Sequence, residues 1–136
     1  MNNISTVILA AGKSTRYKRK TTKLLEDLAG LPLISHVHKI ATKISGKNVI
    51  IVCNKNNIKE FKKIITGCKF VIQNKQKGTA DAISCAKPYL KSANFLILFG
   101  DAPLISLKNI NKLVLNFKKN NSIASMIAFN ASNPIG

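Results

Sequence analysis

An α/β fold with a mainly parallel sheet is what this sequence predicts, on three observations. Short β-branched runs alternate with segments of helical spacing, the links between them are brief, and the runs are apolar on both faces. Strands covered by helices on each side read this way, and the alternation makes βαβ units with right-handed crossovers. The expected architecture is a Rossmann-like three-layer sandwich.

Ile4 to Ala10 is the first strand, rich in Val, Ile and Leu. A basic, hydroxyl-rich loop follows, after which Leu24 to Leu28 and Gly30-Leu31-Pro32 pass into a helix over Leu33 to Ile44. Pro32 suits the first turn of that helix and Gly46 its stop. Asn48 to Cys53 is a second buried strand. Asn57 to Thr66 is a short helix whose apolar face carries Ile58, Phe61, Ile64 and Ile65. Lys69 to Ile72 is a third strand, and Thr79 is expected to cap a helix to about Lys87, with Pro88 marking its last turns. Phe95 to Phe99 is a fourth strand, Ser106 caps a helix to about Lys118, and Ile123 to Phe129 reads as a further strand.

The 136 residues suit a single domain over 1–136, and an apolar fraction of 46% suits a soluble core. No apolar run approaches the roughly 20 residues of a membrane span, and the opening MNNIST lacks a basic leader, so the cytoplasm is the expected location. Cys53, Cys68 and Cys85 are widely spaced and read as reduced packing residues. His36 and His38 point to different sides of a helix and have no acidic or thiol partner nearby, which argues against a metal role. Lys and Arg number 22 against five acids, a net charge of +17 that would attract polyanions. The charge is almost all Lys, with Arg only at positions 16 and 19, and it is spread along the chain. That pattern gives a generically basic surface and no specific nucleic-acid partner.

In parallel α/β sheets, ligands bind beyond the carboxyl ends of the strands, where strand order reverses. That edge would gather Gly12, Gln73, Gly78, Gly100 and Asp101. Three phosphate motifs compete for the loop Gly12-Lys13-Ser14-Thr15-Arg16. A Walker A loop needs glycine five positions before Gly12, where this chain has Val7. A dinucleotide fingerprint needs glycines at Ser14 and Tyr17. Both fail.

What remains, Leu9-Ala10-Ala11-Gly12-Lys13-Ser14-Thr15-Arg16 followed by Lys23, resembles the signature of the sugar-phosphate nucleotidyltransferases. Leu28-Ala-Gly-Leu-Pro-Leu-Ile-Ser-His36-Val, Gln73-Asn-Lys-Gln-Lys-Gly78-Thr79-Ala and Leu98-Phe99-Gly100-Asp101-Ala-Pro-Leu-Ile follow in order. Together they are similar to the N-terminal, pyrophosphorylase-type domain of the N-acetylglucosamine-1-phosphate uridyltransferases, over essentially the whole chain.

The resemblance implies the nucleotide-diphospho-sugar transferase fold and a reaction of UTP with a sugar 1-phosphate. It implies that Leu9, Ala10, Ala11 and Gly12 meet the nucleotide through the backbone, and that Arg16 and Lys23 bind the phosphoryl oxygens on which charge grows. It implies that Gln73, Gly78 and Thr79 hold uracil, that Phe99 and Gly100 line the same corner, and that Asp101 binds Mg²⁺. Each position has a plainer reading. Gly-Asp-Ala-Pro is good turn chemistry, Gln73 suits a solvated loop, and Thr79 suits a helix cap. Asp81, in a first helical turn where an acid favours the dipole, is assigned no chemistry.

Two departures from the family pattern stand in the loop: Ser14 replaces a glycine, and Thr22 replaces a proline. Asn133-Pro-Ile-Gly136 matches the start of a family segment whose sugar-binding and second metal-binding residues come later. The fold is therefore expected to be incomplete at its C-terminus and to carry the nucleotide half of the site. Two other readings stay open: a non-catalytic basic domain that binds nucleotides or polyanions, and a related transferase using another nucleoside triphosphate and another sugar or polyol phosphate.

Overall fold

The computed structural model describes residues 4–12, 22–128 and 130. It divides after Leu104 into two compact units.

The first unit holds the sheet. β1 (Ile4–Ala10) is followed by a single 3-10 turn at Lys23–Leu25 and a two-stranded ribbon, β2 (Asp27–Leu28) and β3 (Leu31–Pro32). α1 (Leu33–Ser45) then leads to β4 (Val49–Cys53), α2 (Ile58–Ile64) to β5 (Lys69–Ile72), and α3 (Thr79–Ala86) to β6 (Asn94–Phe99). The four long strands form one parallel sheet in the order β5-β4-β1-β6. The fold class read from the sequence is the one observed.

Side chains alternate across β1, so its two faces meet different helices. Val7 joins Ala11, Ile50, Val52, Val71, Ala82 and Ala86 in a cluster under α3. On the other face, α1 buries Ile34, Val37, Ala41 and Ser45 at helical spacing. Thr6 of β1 meets Ser45 there, hydroxyl to hydroxyl at 2.7 Å, with both residues buried. Helices therefore cover both faces, which is why β4 is apolar throughout and β1 is buried even at Ser5 and Thr6. The Thr6–Ser45 pair carries a prediction. Thr6→Val strands a buried hydroxyl and is expected to cost about 1–2 kcal/mol in urea denaturation, whereas Thr6→Val with Ser45→Ala should be nearly neutral.

Three local features of the first unit differ from expectation. The ribbon at 27–32 was not legible, because Ala29 adopts φ 52° ahead of Gly30 at φ 81°. Two-residue hairpin turns need that left-handed pair, and alanine rarely supplies it. Asp27 Oδ1 accepts from the Gly30 amide at 2.9 Å, and His36 Nε2 donates to the Leu28 carbonyl at 2.7 Å, tying the ribbon to α1. Thr79 does not cap α3: Gly78 is the capping residue, with φ 106° and ψ −175°, and Thr79 is already helical. That extended glycine conformation, nearly closed to other residues, brings the chain into the helix one residue early. Ile64 is 43% exposed, while Ile65 is buried in the extended residue that ends α2. The helix stops before a full apolar stripe is built.

The second unit contains α4 (Leu107–Lys119), whose start is fixed by Ser106 Oγ accepting from the Asn109 amide at 3.1 Å. The strand expected over Ile123–Phe129 does not form across the described residues 123–128, and Phe129 lies outside them. β-branched content alone does not make a strand; a neighbour must complete the ladder. No ladder includes this segment, and Ile123 and Met126 are 103% and 85% exposed. Among the described residues no helix is long and apolar enough to cross a membrane.

Candidate functional site

All four strands of the main sheet run parallel, so their carboxyl ends share one edge. The chain steps from β1 through β4 to β5 in one direction, then returns past β1 to β6. Strand order therefore reverses between β1 and β6, where such sheets open a crevice. The candidate residues gather along this edge.

The stretch that leaves β1 is held from both sides. The Leu9 carbonyl accepts from the Gly100 amide at 2.9 Å, which ties it to the end of β6. The Ala11 carbonyl accepts from Asn54 Nδ2 at 3.2 Å and from Gln76 Nε2. Asn54 follows β4 directly, and neither amide was singled out from the sequence. The signal for Asn54 was positional: a polar residue at the carboxyl end of a central strand. Ala10 and Ala11 are buried, whereas Gly12 is exposed. At Gly12 a Cβ would meet nothing within 4 Å among the described residues, so none of those residues gives a packing reason for a glycine there.

Lys23 opens the 3-10 turn, whose start is capped by Thr22 Oγ1 accepting from the Leu24 amide at 3.4 Å, with Leu24 buried as the anchor. The threonine that departs from the family's proline thus has its own local job. From this turn Lys23 Nζ reaches Asp101 Oδ2 at 2.6 Å, across 78 residues of sequence. Phe99, at the end of β6, is 54% exposed. The Ala102 amide donates to the Phe99 carbonyl at 3.2 Å, so Asp101 sits in a turn and faces Lys23 at the same time. Arg16 lies outside the described residues.

On the other side, Gln73 follows β5 and is buried, with its amide N–H on the Cys53 carbonyl at 2.9 Å. Its side-chain Nε2 donates to the Gly78 carbonyl at 3.1 Å and to Asp81 Oδ2 at 2.7 Å. Thr79 is exposed beside them. Asp81 was given no chemistry from the sequence, and it is in direct contact with a candidate base-binding residue. Burial pushes the Cys53 and Cys68 thiols up to about 11, which makes both poor nucleophiles at neutral pH.

For a divalent cation the Lys23 side of this edge offers one carboxylate, Asp101, among the described residues. Among the described residues no three His, Cys, Asp or Glu side chains cluster. Among the described residues Asp101 has one oxygen on Lys23 and no partner on the other. That donor set suits Mg²⁺, which keeps water and takes phosphate oxygens alongside one or two carboxylates, rather than an ion held wholly by protein.

A doubly wound parallel sheet with a small-residue loop, a lysine and a carboxylate at its switch point defines a protein of the nucleotide-binding α/β class. Residues 6–134 match the MobA-like NTP transferase domain, and the chain belongs to that family. It is 40% identical over 136 residues to the bifunctional protein GlmU of Buchnera aphidicola subsp. Schizaphis graminum, covering 98% of this chain and 29% of that protein. To the bifunctional protein GlmU of Geotalea uraniireducens it is 33% identical over 140 residues, covering 100% of this chain and 31% of that protein. The chain thus spans less than a third of the length of these relatives.

Among solved structures it resembles the bifunctional IspDF of Campylobacter jejuni, with a TM-score of 0.73 and 24% identity over 85% of this chain and 31% of that one. It also resembles CMP:2-keto-3-deoxy-manno-octonic acid synthetase complexed with CTP, with a TM-score of 0.68 and 20% identity over 88% of this chain and 48% of that one. At those identities the likeness speaks for the fold.

Proposed function

We propose that this domain transfers UMP from UTP to N-acetylglucosamine 1-phosphate, giving UDP-N-acetylglucosamine and pyrophosphate. The observation that carries the reading is the Lys23–Asp101 contact of 2.6 Å beside the loop that leaves β1. It supports a cation for phosphate and a carboxylate for Mg²⁺ at one spot on the switch-point edge. A phosphate oxygen of the sugar 1-phosphate attacks the α-phosphorus of UTP, and the bond to the leaving pyrophosphate breaks in line. Leu9 to Gly12 bring backbone close to the nucleotide, and the open space at Gly12 is where a side chain would obstruct it. Lys23, with Arg16, stabilises the phosphoryl oxygens as their charge grows. Gln73, Gly78 and Thr79 hold the base, and Phe99 and Gly100 border it. Mg²⁺ held on Asp101 would neutralise phosphate charge. No side-chain nucleophile is required, because positioning and electrostatics supply the catalysis.

Pyrophosphate release with a panel of nucleoside triphosphates and sugar 1-phosphates tests this directly. Release with UTP and N-acetylglucosamine 1-phosphate supports it, as does Mg²⁺-dependent thermal stabilisation by UTP. Release only with another triphosphate or another sugar or polyol phosphate keeps the family chemistry and changes the substrates. The net charge of +17 favours one rival, a non-catalytic domain that binds polyanions through its surface. That rival predicts steep salt dependence and no preference among nucleotides, and UTP-selective binding at 0.2 M salt or so would dismiss it.

A further inference from the structure

We propose that Asp81 is a positioning residue that sets the side-chain amide of Gln73 so that an acceptor, Oε1, faces the base, selecting a pyrimidine whose N3 carries hydrogen. The inference rests on the proposed UTP site and adds to it the origin of the preference for uracil over cytosine.

The amide orientation follows from its partners. Gln73 Nε2 touches the Gly78 carbonyl at 3.1 Å and Asp81 Oδ2 at 2.7 Å. A carbonyl and a carboxylate only accept, so both contacts demand the NH₂ end of the amide. Turning the amide over would set its oxygen against a carboxylate oxygen at that short distance. The chemistry of the two acceptors thus settles the amide orientation.

The Gln73 main chain is equally fixed, since its N–H continues the β5–β4 ladder onto Cys53. Gly78 contributes its carbonyl from a conformation, φ 106° and ψ −175°, that holds the loop just ahead of α3. Asp81 sits in the first turn of α3, a rigid platform on which the dipole favours its charge. With both N–H groups engaged, Oε1 is the atom left over. It has no partner among the described residues, and no buried side-chain polar atom there lacks one, so Oε1 opens to solvent. Gln73 nevertheless remains only 5% exposed, so what it offers outward is a small, fixed acceptor.

Uracil and cytosine differ at the atom such an acceptor reads. Uracil carries hydrogen on N3, whereas neutral cytosine has a lone pair there, which would face Oε1 as acceptor against acceptor. A fixed acceptor therefore rejects cytosine through an unmade hydrogen bond, the kind of mismatch that discriminates strongly. Without Asp81 only the Gly78 carbonyl still calls for the NH₂ end, so turning the amide over to present NH₂ to the base costs one contact instead of two. With only five acids in the chain, one bound to a glutamine amide at the base end of the site is placed for this task.

The test is calorimetric titration of the full chain with UTP, CTP and N3-methyluridine triphosphate, comparing wild type, Asp81→Ala and Asp81→Asn, each checked by thermal melting. Wild type is expected to prefer UTP over both analogues. Asp81→Ala should lower the UTP:CTP affinity ratio about tenfold. Asp81→Asn, whose Oδ1 can still accept from Nε2, should restore most of it. A merely structural Asp81 would weaken both nucleotides together and leave the ratio unmoved. An unchanged ratio in Asp81→Ala, with selective UTP binding in wild type, overturns this inference and leaves the proposed function standing. No UTP binding by wild type overturns both.

Discussion

Asp101→Ala is expected to lower UTP-dependent pyrophosphate release by about 10²–10³-fold, the cost of removing one preorganised electrostatic partner. The same substitution should move the melting temperature by no more than a few degrees. These two expectations have one cause. The Asp101 and Lys23 side chains are 44% and 43% exposed, so water screens their 2.6 Å ion pair and it contributes about 1 kcal/mol at most to stability. A carboxylate of little value to the fold can instead be given to a ligand. Asp101→Asn separates the roles further, because asparagine keeps the turn after β6 yet carries no charge for a cation. It should lose activity nearly as fully as alanine does. Preserved pyrophosphate release in both variants, or a large fall in melting temperature with normal release, would show the pair to be structural.

The parts of this molecule that could be read from the sequence are those where one local rule decides the outcome. β1 and β5 keep their expected limits because apolar runs bounded by polar loops leave few alternatives. α1 ends where glycine can turn left-handed, with Gly46 at φ 58°. The misses lie where a partner or an unusual conformation decides. Nothing in the segment 123–128 tells whether a neighbouring strand exists to pair with it. Ala29 carries no signature of positive φ, so the ribbon stayed hidden.

The site divides in the same way. That the strand ends converge could be argued from topology, which brings Leu9, Gln73 and Gly100 to one edge. The Lys23–Asp101 contact spans 78 residues and depends on the 3-10 turn that Leu24 anchors, which no spacing rule supplies. Asp81 was harder still. Its meeting with Gln73 depends on the backbone of Gly78, and a first-turn acid on a helix already has an ordinary explanation.

Gly100→Ala is expected to damage fold and site together, with a cost of about 2–3 kcal/mol and a melting temperature lower by roughly 10 °C. A Cβ at this position would meet the Leu9 carbonyl oxygen at 3.1 Å, Leu24 Cδ1 at 3.3 Å and Ala10 Cβ at 3.5 Å. The leucine methyl could shift, but the Leu9 oxygen belongs to the backbone of a central strand and already accepts from the Gly100 amide. Something must give between β1 and β6, at the point where the sheet changes direction. The displaced element carries Asp101 on one side or the loop proposed to meet the nucleotide on the other, and a shift near 1 Å is enough to cost about a hundredfold in rate. Gly12→Ala provides the contrast. Its Cβ meets no described atom within 4 Å, so its stability should stay within about 0.5 kcal/mol of wild type, and any loss should appear in nucleotide affinity alone. If Gly100→Ala melts and turns over like wild type, close packing of β6 on β1 is not what holds the site in register.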